Sequence, residues 1–297
     1  MFAVAVEGRI VCEVLYLIEE NVVNRLVAYI GNDPDRLACA LQPARQALRV
    51  FSAGSAADWG LGFIQGGDVL LQKRSRSSTA QVDFFDLAQD LPAEALVGRA
   101  TQGENEGTSV GPFRFRYWLF GAVGEFGDFS QIDRRLLDSI PEFLRRNIRG
   151  HSPCEQVFHL FLAFLHDAGL LESLSAQPEL AHRALGESIA FVDRLLAASG
   201  AASTKLAVVA TNGRCLVALS HGHPVQCLEI RGVSACPVCG GKQSDEQRER
   251  AISHDQLKAV VLEADRRSDR RAGWRSIPDG GALLVGPQLT VRTVSDG

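Results

Sequence analysis

Cys236-Pro237-Val238-Cys239, followed by Gly240-Gly241, has the spacing of half a zinc knuckle. Two thiolates on one turn can share a zinc ion, which takes four ligands, usually from two such pairs or from one pair with histidines. His221, His223, Cys227 and His254 are the nearest further donors along the chain. The pair also reads as an exposed or redox-active dithiol, or as inert loop cysteines, and the spacing leaves these alternatives open. Phe113, Phe115 and Trp118 alternate with Arg114, Arg116 and Tyr117, as on a surface that stacks nucleic-acid bases. A sheet strand with one buried and one solvated side gives the same pattern and is the simpler account. His159 and His166 fall about two helical turns apart in an apolar stretch, where a histidine is usually hydrogen-bonded core. Arg145-Arg146, Arg266-Arg267 and Arg270-Arg271 read as solvated helix faces or ends. Cys12 lies in an apolar stretch and reads as a buried thiol. The sequence contains no Gly-rich phosphate loop, Gly-x-Ser-x-Gly elbow or His-Glu-x-x-His pair.

The elements that must position such groups follow from composition and periodicity. The chain has 297 residues, of which 46% are hydrophobic and 22% charged. That is an ordinary balance for a packed protein of about two domains or one large one. With 31 basic and 35 acidic side chains the net charge is −4, which gives no global pull toward nucleic acid or an anionic membrane. The longest apolar run, Val11 to Ile18, is interrupted by Glu13 and falls short of the ~18 residues of a spanning helix. Glu7 stands where a secretory leader would be basic. Seven sparse cysteines favour a reducing compartment, so a cytoplasmic protein is expected.

Strands are expected at Phe2–Val6, Ile10–Ile18 and Arg25–Ile30, then a helix capped by Asn32 or Asp33 with Leu37, Leu41, Ala44 and Leu48 on one face. A hairpin at Trp59–Ile64 and Val69–Lys73 precedes strands at Ala95–Thr101 and Phe113–Val123. Helices follow at Ser130–Ile148, Glu155–Ala168 and Pro178–Ala198. Strands resume at Lys205–Ala210 and Cys215–Ser220 around Thr211-Asn212-Gly213-Arg214, and then at Leu257–Ala264, Ala282–Val285 and Leu289–Val294. The charged stretch Gln243–Arg271 reads as a solvated connection or surface helix. Paired strands, then helices, then paired strands indicate an antiparallel α+β protein.

Several segments, in order, resemble the class II glutamine amidotransferases. Asn24-Arg25-Leu26-Val27-Ala28-Tyr29-Ile30-Gly31 is similar to that family's first strand, and Trp59-Gly60-Leu61-Gly62-Phe63 to its Asp-Gly-Trp-Gly-Ile-Gly strand. Arg99-Ala100-Thr101-Gln102-Gly103 resembles Arg-x-Ala-Thr-x-Gly. Gly111-Pro112-Phe113 and Trp118 to Glu125 resemble His-Pro-Phe and Trp-x-Phe-Ala-His-Asn-Gly. Gly150 to Leu162 is similar to Gly-x-Thr-Asp-Ser-Glu and the apolar helix after it. Thr211-Asn212-Gly213 and Gly273-Trp274 with Ile277-Pro278 match late features of the small stand-alone members. The resemblance spans about residues 23 to 290. It implies an N-terminal-nucleophile hydrolase fold, a four-layer αββα sandwich of antiparallel sheets. Residues 1–23 would form an extension, and residues 24–297 a type-2 glutaminase-like domain whose 204–297 part is mostly strands with the Cys-x-x-Cys loop.

In that family an N-terminal cysteine attacks the glutamine amide and its own α-amine takes the proton. An Asn side chain and the next Gly N–H hold the oxyanion. An Arg binds the substrate carboxylate and an Asp the ammonium. Carried onto this chain, the nucleophile falls on Asn24, the oxyanion Asn on Val123, and the ammonium-binding Asp on Pro153. The two histidines fall on Gly111 and Ala122. Arg99, Thr101 and Gly124 are retained. Losing one oxyanion donor alone typically costs ~10²–10³ in rate. The expectation is therefore a pseudoenzyme of the glutaminase fold that acts as a binding or regulatory module. Its Arg99 pocket would take a small carboxylate or amino-acid-like ligand, it would need no cofactor, and a protein partner could dock on the N-terminal hairpin and the Cys236–Cys239 loop. The alternative is an active amidotransferase that uses an unusual nucleophile or an N-terminally processed Cys12.

Overall fold

The computed structural model describes residues 24–51, 58–74, 84–102, 110–173, 177–233, 236–238, 254–265 and 271–295. The expected strands before residue 24, Cys12, Cys239 and the arginines at 266, 267 and 270 lie outside these residues.

Period-two burial builds two antiparallel sheets. The first has seven strands. These are β1 (Asn24–Gly31), β2 (Asp58–Gln65), β3 (Asp68–Arg74), β4 (Ala95–Thr101), β9 (Val225–Arg231), β10 (Lys258–Ala264) and β11 (Arg275–Ile277), in the order β11-β9-β10-β1-β4-β2-β3. The second has six strands. These are β5 (Phe113–Phe115), β6 (Trp118–Glu125), β7 (Lys205–Thr211), β8 (Leu216–His221), β12 (Gly281–Val285) and β13 (Val291–Ser295), in the order β13-β12-β8-β7-β6-β5. In β1, Leu26, Ala28 and Ile30 enter the core between the sheets, while Val27 and Tyr29 enter a second core on the outer face. That outer core is covered by α1 (Leu37–Leu41), α2 (Arg45–Leu48) and α3 (Phe84–Asp90). The outer face of the second sheet packs on α4 (Asp133–Ser139), α5 (Glu142–Arg145), α6 (Pro153–Asp167) and α7 (Pro178–Ala198). The architecture is the αββα sandwich that the resemblance implies.

Helix α6 is buried nearly all round because Phe158 and Phe161 pack on β6. Their ring centroids lie 5.2 and 6.1 Å from Phe120, and Phe161 is 5.4 Å from Trp118. Each such ring contributes roughly 1.5–3 kcal/mol by burial. Between the sheets, a Cβ on Gly121 would press on Leu26 and Val97, and one on Gly62 on Leu119, so these glycines make room for side chains of the facing sheet.

Three expected elements are broken, each for a local reason. The helix after Pro34 becomes a chain of short 3₁₀ and α turns from Pro34 to Phe51, because Pro43 cannot donate to the ladder. Asp33 caps it, and its carboxylate accepts from Asp35 N at 3.1 Å. The helix expected over Ser130–Ile148 divides at Ile140-Pro141, where Ile140 is extended (φ −91°, ψ 126°), as the residue before proline prefers. The strand expected over Phe113–Val123 turns back at Arg116-Tyr117, with Arg116 at φ 50°, giving the β5–β6 hairpin. Strands β9 and β11 and helix α3 were not anticipated. Among the described residues, no helix is long and apolar enough to cross a membrane.

Candidate functional site

Sheet register brings the candidate residues to one end of the inter-sheet face. Asn24 pairs with Thr101, which also pairs with Asp58; two residues on, Leu26, Arg99, Gly60 and Lys73 form the next row. Leu26 faces the inter-sheet core, so strand alternation puts Asn24, Asp58, Arg99, Thr101 and Lys73 on that same face. Arg99 and Thr101 are buried, as is Asp58. The carboxamide oxygen of Asn24 is buried with no hydrogen-bond partner among the described residues. An unsatisfied buried acceptor of this kind typically costs about 1–3 kcal/mol, so Asn24 presents an unused acceptor at the start of β1, where the resemblance led one to expect the nucleophile.

The second sheet supplies the facing wall. Leu119 lies at the level of Gly62, and Gly121 at that of Leu26, so alternation carries Val123 to the end where Asn24 begins. Val123 is fully buried in the inter-sheet core. Gly124 follows at φ +127°, and a Cβ there would land on the Lys205 carbonyl, so only glycine fits. The thiol of Cys154 donates to the Ala122 carbonyl at 3.8 Å, which pins the start of α6 beside Val123. Pro153 is the first residue of that helix, where its missing N–H costs nothing. Gly111, joined to Pro112 by a cis bond, lies against Arg99: a Cβ on Gly111 would sit 3.3 Å from Arg99 Cδ.

Next to Arg99, a cleft of about 690 Å³ is lined by Lys73, Phe113, Arg114, Asn147, Arg149, Glu155 and His159, among others. Lys73 Nζ stands 4.8 Å above the Phe113 ring. Burial pushes the Lys73 ammonium pKa down, Arg99 and Arg149 add to this, and Glu155 opposes it. The Glu155 carboxylate accepts from Arg149 N at 3.0 Å and Gly150 N at 2.9 Å. The Glu155 carbonyl lies 2.8 Å from His159 Nδ1 and, as an acceptor, takes the proton of that nitrogen, while burial lowers the His159 pKa. The helix therefore holds His159 as core while leaving it on the cleft wall. A concave site with several cations and one buried carboxylate suits a small anion better than a cation.

The structure separates the donors that sequence order placed near Cys236. His221 Nε2 lies 2.9 Å from the Asp193 carboxylate on α7. His223 is buried where its carbonyl accepts from Ser220, and Cys227 is buried between the sheets. His254 is the one that reaches Cys236. The third member of that group is Cys39 of α1, and the three ligand atoms lie within 4.8 Å of one another. Sequence order missed Cys39 because it enters from the far end of the chain. Phe113 and Trp118 are buried core residues, so the aromatic–arginine alternation is that of a hairpin with one buried side.

Comparison with solved structures places this arrangement in a fold class. A glutamine aminotransferase class-II domain protein from Silicibacter pomeroyi is similar, with 16% identity and a TM-score of 0.58 over 91% of this chain and 98% of that one. A predicted glutamine amidotransferase from Pseudomonas aeruginosa PA01 is similar at 15% identity and a TM-score of 0.51, over 91% and 95%. No family model and no curated protein matches the sequence. The fold is that of class II glutamine amidotransferase domains, as the sequence motifs led one to expect.

Proposed function

We propose that this chain is a glutaminase-fold binding module that takes a small carboxylate or amino-acid-like ligand at Arg99 and does not hydrolyse glutamine. The observation that carries this reading is Asn24. It occupies the start of β1 in register with Thr101 and Asp58, where a thiol would be needed, and its buried oxygen is an acceptor rather than a nucleophile. Val123 and Pro153 remove the polar groups for the oxyanion and the ammonium, while Arg99 and the cationic cleft beside it retain carboxylate recognition. A charge-assisted contact to a buried guanidinium supplies affinity without chemistry.

The test is glutamate release from L-glutamine by the purified full chain, with its intact mass recorded, alongside calorimetry with L-glutamate. The expected result is no release above a blank, together with binding that Arg99→Gln weakens by about tenfold or more. Release that disappears on alkylation of Cys12 would overturn the reading in favour of an active, processed amidotransferase.

A further inference from the structure

Three elements distant in sequence converge on the outer face of the first sheet. Cys39 projects from α1 into the core that this helix forms with Val27 and Tyr29, and Cys236 packs against the same core. His254 stands at the other end of the β9–β10 connection. Its carbonyl accepts from Val233 N at 2.8 Å, and Gly232 N reaches the Leu257 carbonyl at 2.7 Å, so the neck of the connection is tied by backbone hydrogen bonds. The two sulfurs and the imidazole nitrogen lie within 4.8 Å of one another. Thiolates and an imidazole around tetrahedral zinc stand about 3.5–3.8 Å apart, given Zn–S of about 2.3 Å and Zn–N of about 2.0–2.1 Å, so closure by about an ångström brings three of the four ligands zinc takes into place.

We propose that Cys39, Cys236 and His254 hold a structural zinc ion that clips the neck of the β9–β10 connection onto α1. A second observation points to a ligand there: His254 Nε2 is buried and has no hydrogen-bond partner among the described residues. The Tyr29 hydroxyl, buried close enough to Cys39 to feel its charge, likewise has no hydrogen-bond partner among the described residues. It can serve as an outer hydrogen-bond donor to the ligating sulfur. A metal takes the His254 imidazole in its neutral form. Soft sulfur ligands with one imidazole select zinc over magnesium or calcium. Binding replaces two thiol protons by one divalent cation, so with neutral His254 the three-ligand set carries no net charge. Cys239, three residues on from Cys236, lies outside the described residues and enters only as a variant in the test. The site lies on the opposite face of the first sheet from Asn24 and Arg99, so it stands apart from the ligand-binding reading.

The experiment uses the full chain, purified under reducing conditions. Metal content is measured first, and the zinc is then exchanged for cobalt, whose thiolate charge-transfer and tetrahedral d–d bands report the ligand set. The expected result is one zinc per chain, with a cobalt spectrum of thiolate ligation. His254→Gln and Cys236→Ser should each cut metal retention after chelator challenge by about tenfold or more, with Cys39→Ser doing the same and Cys227→Ser leaving the spectrum unchanged. His254→Gln, at a half-buried position, carries the reading if Cys39→Ser fails to fold. Absence of zinc and of thiolate–cobalt bands in the reduced protein overturns the site. A Cys39–Cys236 disulfide in metal-free protein overturns it in favour of a redox pair. Bands lost only in Cys236→Ser and Cys239→Ser overturn the assignment of Cys39 and His254.

Discussion

Glu155 shows how one side chain shapes the candidate site without belonging to its chemistry. Both of its oxygens are committed to backbone N–H groups, those of Arg149 and Gly150, which fixes the loop that leads into α6 and holds Arg149 on the cleft wall. Glu155→Gln swaps one acceptor oxygen for an NH₂ that must face an N–H. The expected cost is about 1.5–3 kcal/mol, read from urea denaturation, and L-glutamate binding should weaken with it as Arg149 loses its anchor. A variant as stable as the parent would mean the two backbone groups find water. At this scale the sequence was most informative where a residue type has one job. Arg99 and Gly124 could be singled out from their motif neighbours, and the register sets them at the same end of the sandwich. Glu155 falls on the Glu of the Gly-x-Thr-Asp-Ser-Glu segment, but its task could not be read there, because it binds backbone N–H groups, which every residue type carries. Cys39 was invisible for a different reason: its partners meet it only after the sheet has formed.

At the scale of elements, the β6–β7 pair carries the sharpest constraint. Gly124 pairs with Leu206 at φ +127°, and the Lys205 carbonyl occupies the space a side chain would need. Gly124→Ala therefore combines backbone strain with a steric clash against main chain, which cannot move away as a flexible side chain could. About 3 kcal/mol or more of destabilisation is expected in urea unfolding, with the loss concentrated where β6 leaves the sheet. Hydrogen exchange at the paired residues of β7 would locate it there. Elements with strong periodicity were legible in advance: Pro178–Ala198 has the predicted bounds, and β4 runs from Ala95 to Thr101 as expected. Prolines decided two of the three failures. Pro43 and Pro141 lie inside apolar patterns that continue across them, so a reading by hydrophobic spacing joins what the missing N–H groups separate.

The whole molecule is held together by contacts between layers, and one of them titrates. Asp193 on α7 accepts from Thr204 N at 2.8 Å and meets His221, at the end of β8, at 2.9 Å, tying the helical layer to the second sheet. The hydrogen bond that His221 donates to Asp193 raises the His221 pKa above its ordinary 6.5, against the opposing effect of burial. Burial pulls Asp193 upward, yet the His221 and Thr204 hydrogen bonds outweigh it and leave Asp193 below its ordinary 3.8. A raised histidine contributes stability that is complete below its unfolded pKa and fades as pH rises through the folded value. A depressed aspartate contributes stability that is complete above its unfolded pKa and fades as pH falls through the folded value. The pair is therefore strongest between about pH 4 and 6.5. A double-mutant cycle with Asp193→Asn and His221→Ala should give a coupling of about 1 kcal/mol at pH 5.5, modest because His221 is a third exposed. At pH 8.5 the coupling should fall to a fraction of that, as neutral His221 retains only an uncharged hydrogen bond. A coupling that stays constant across this range would show that the contact acts through packing rather than charge.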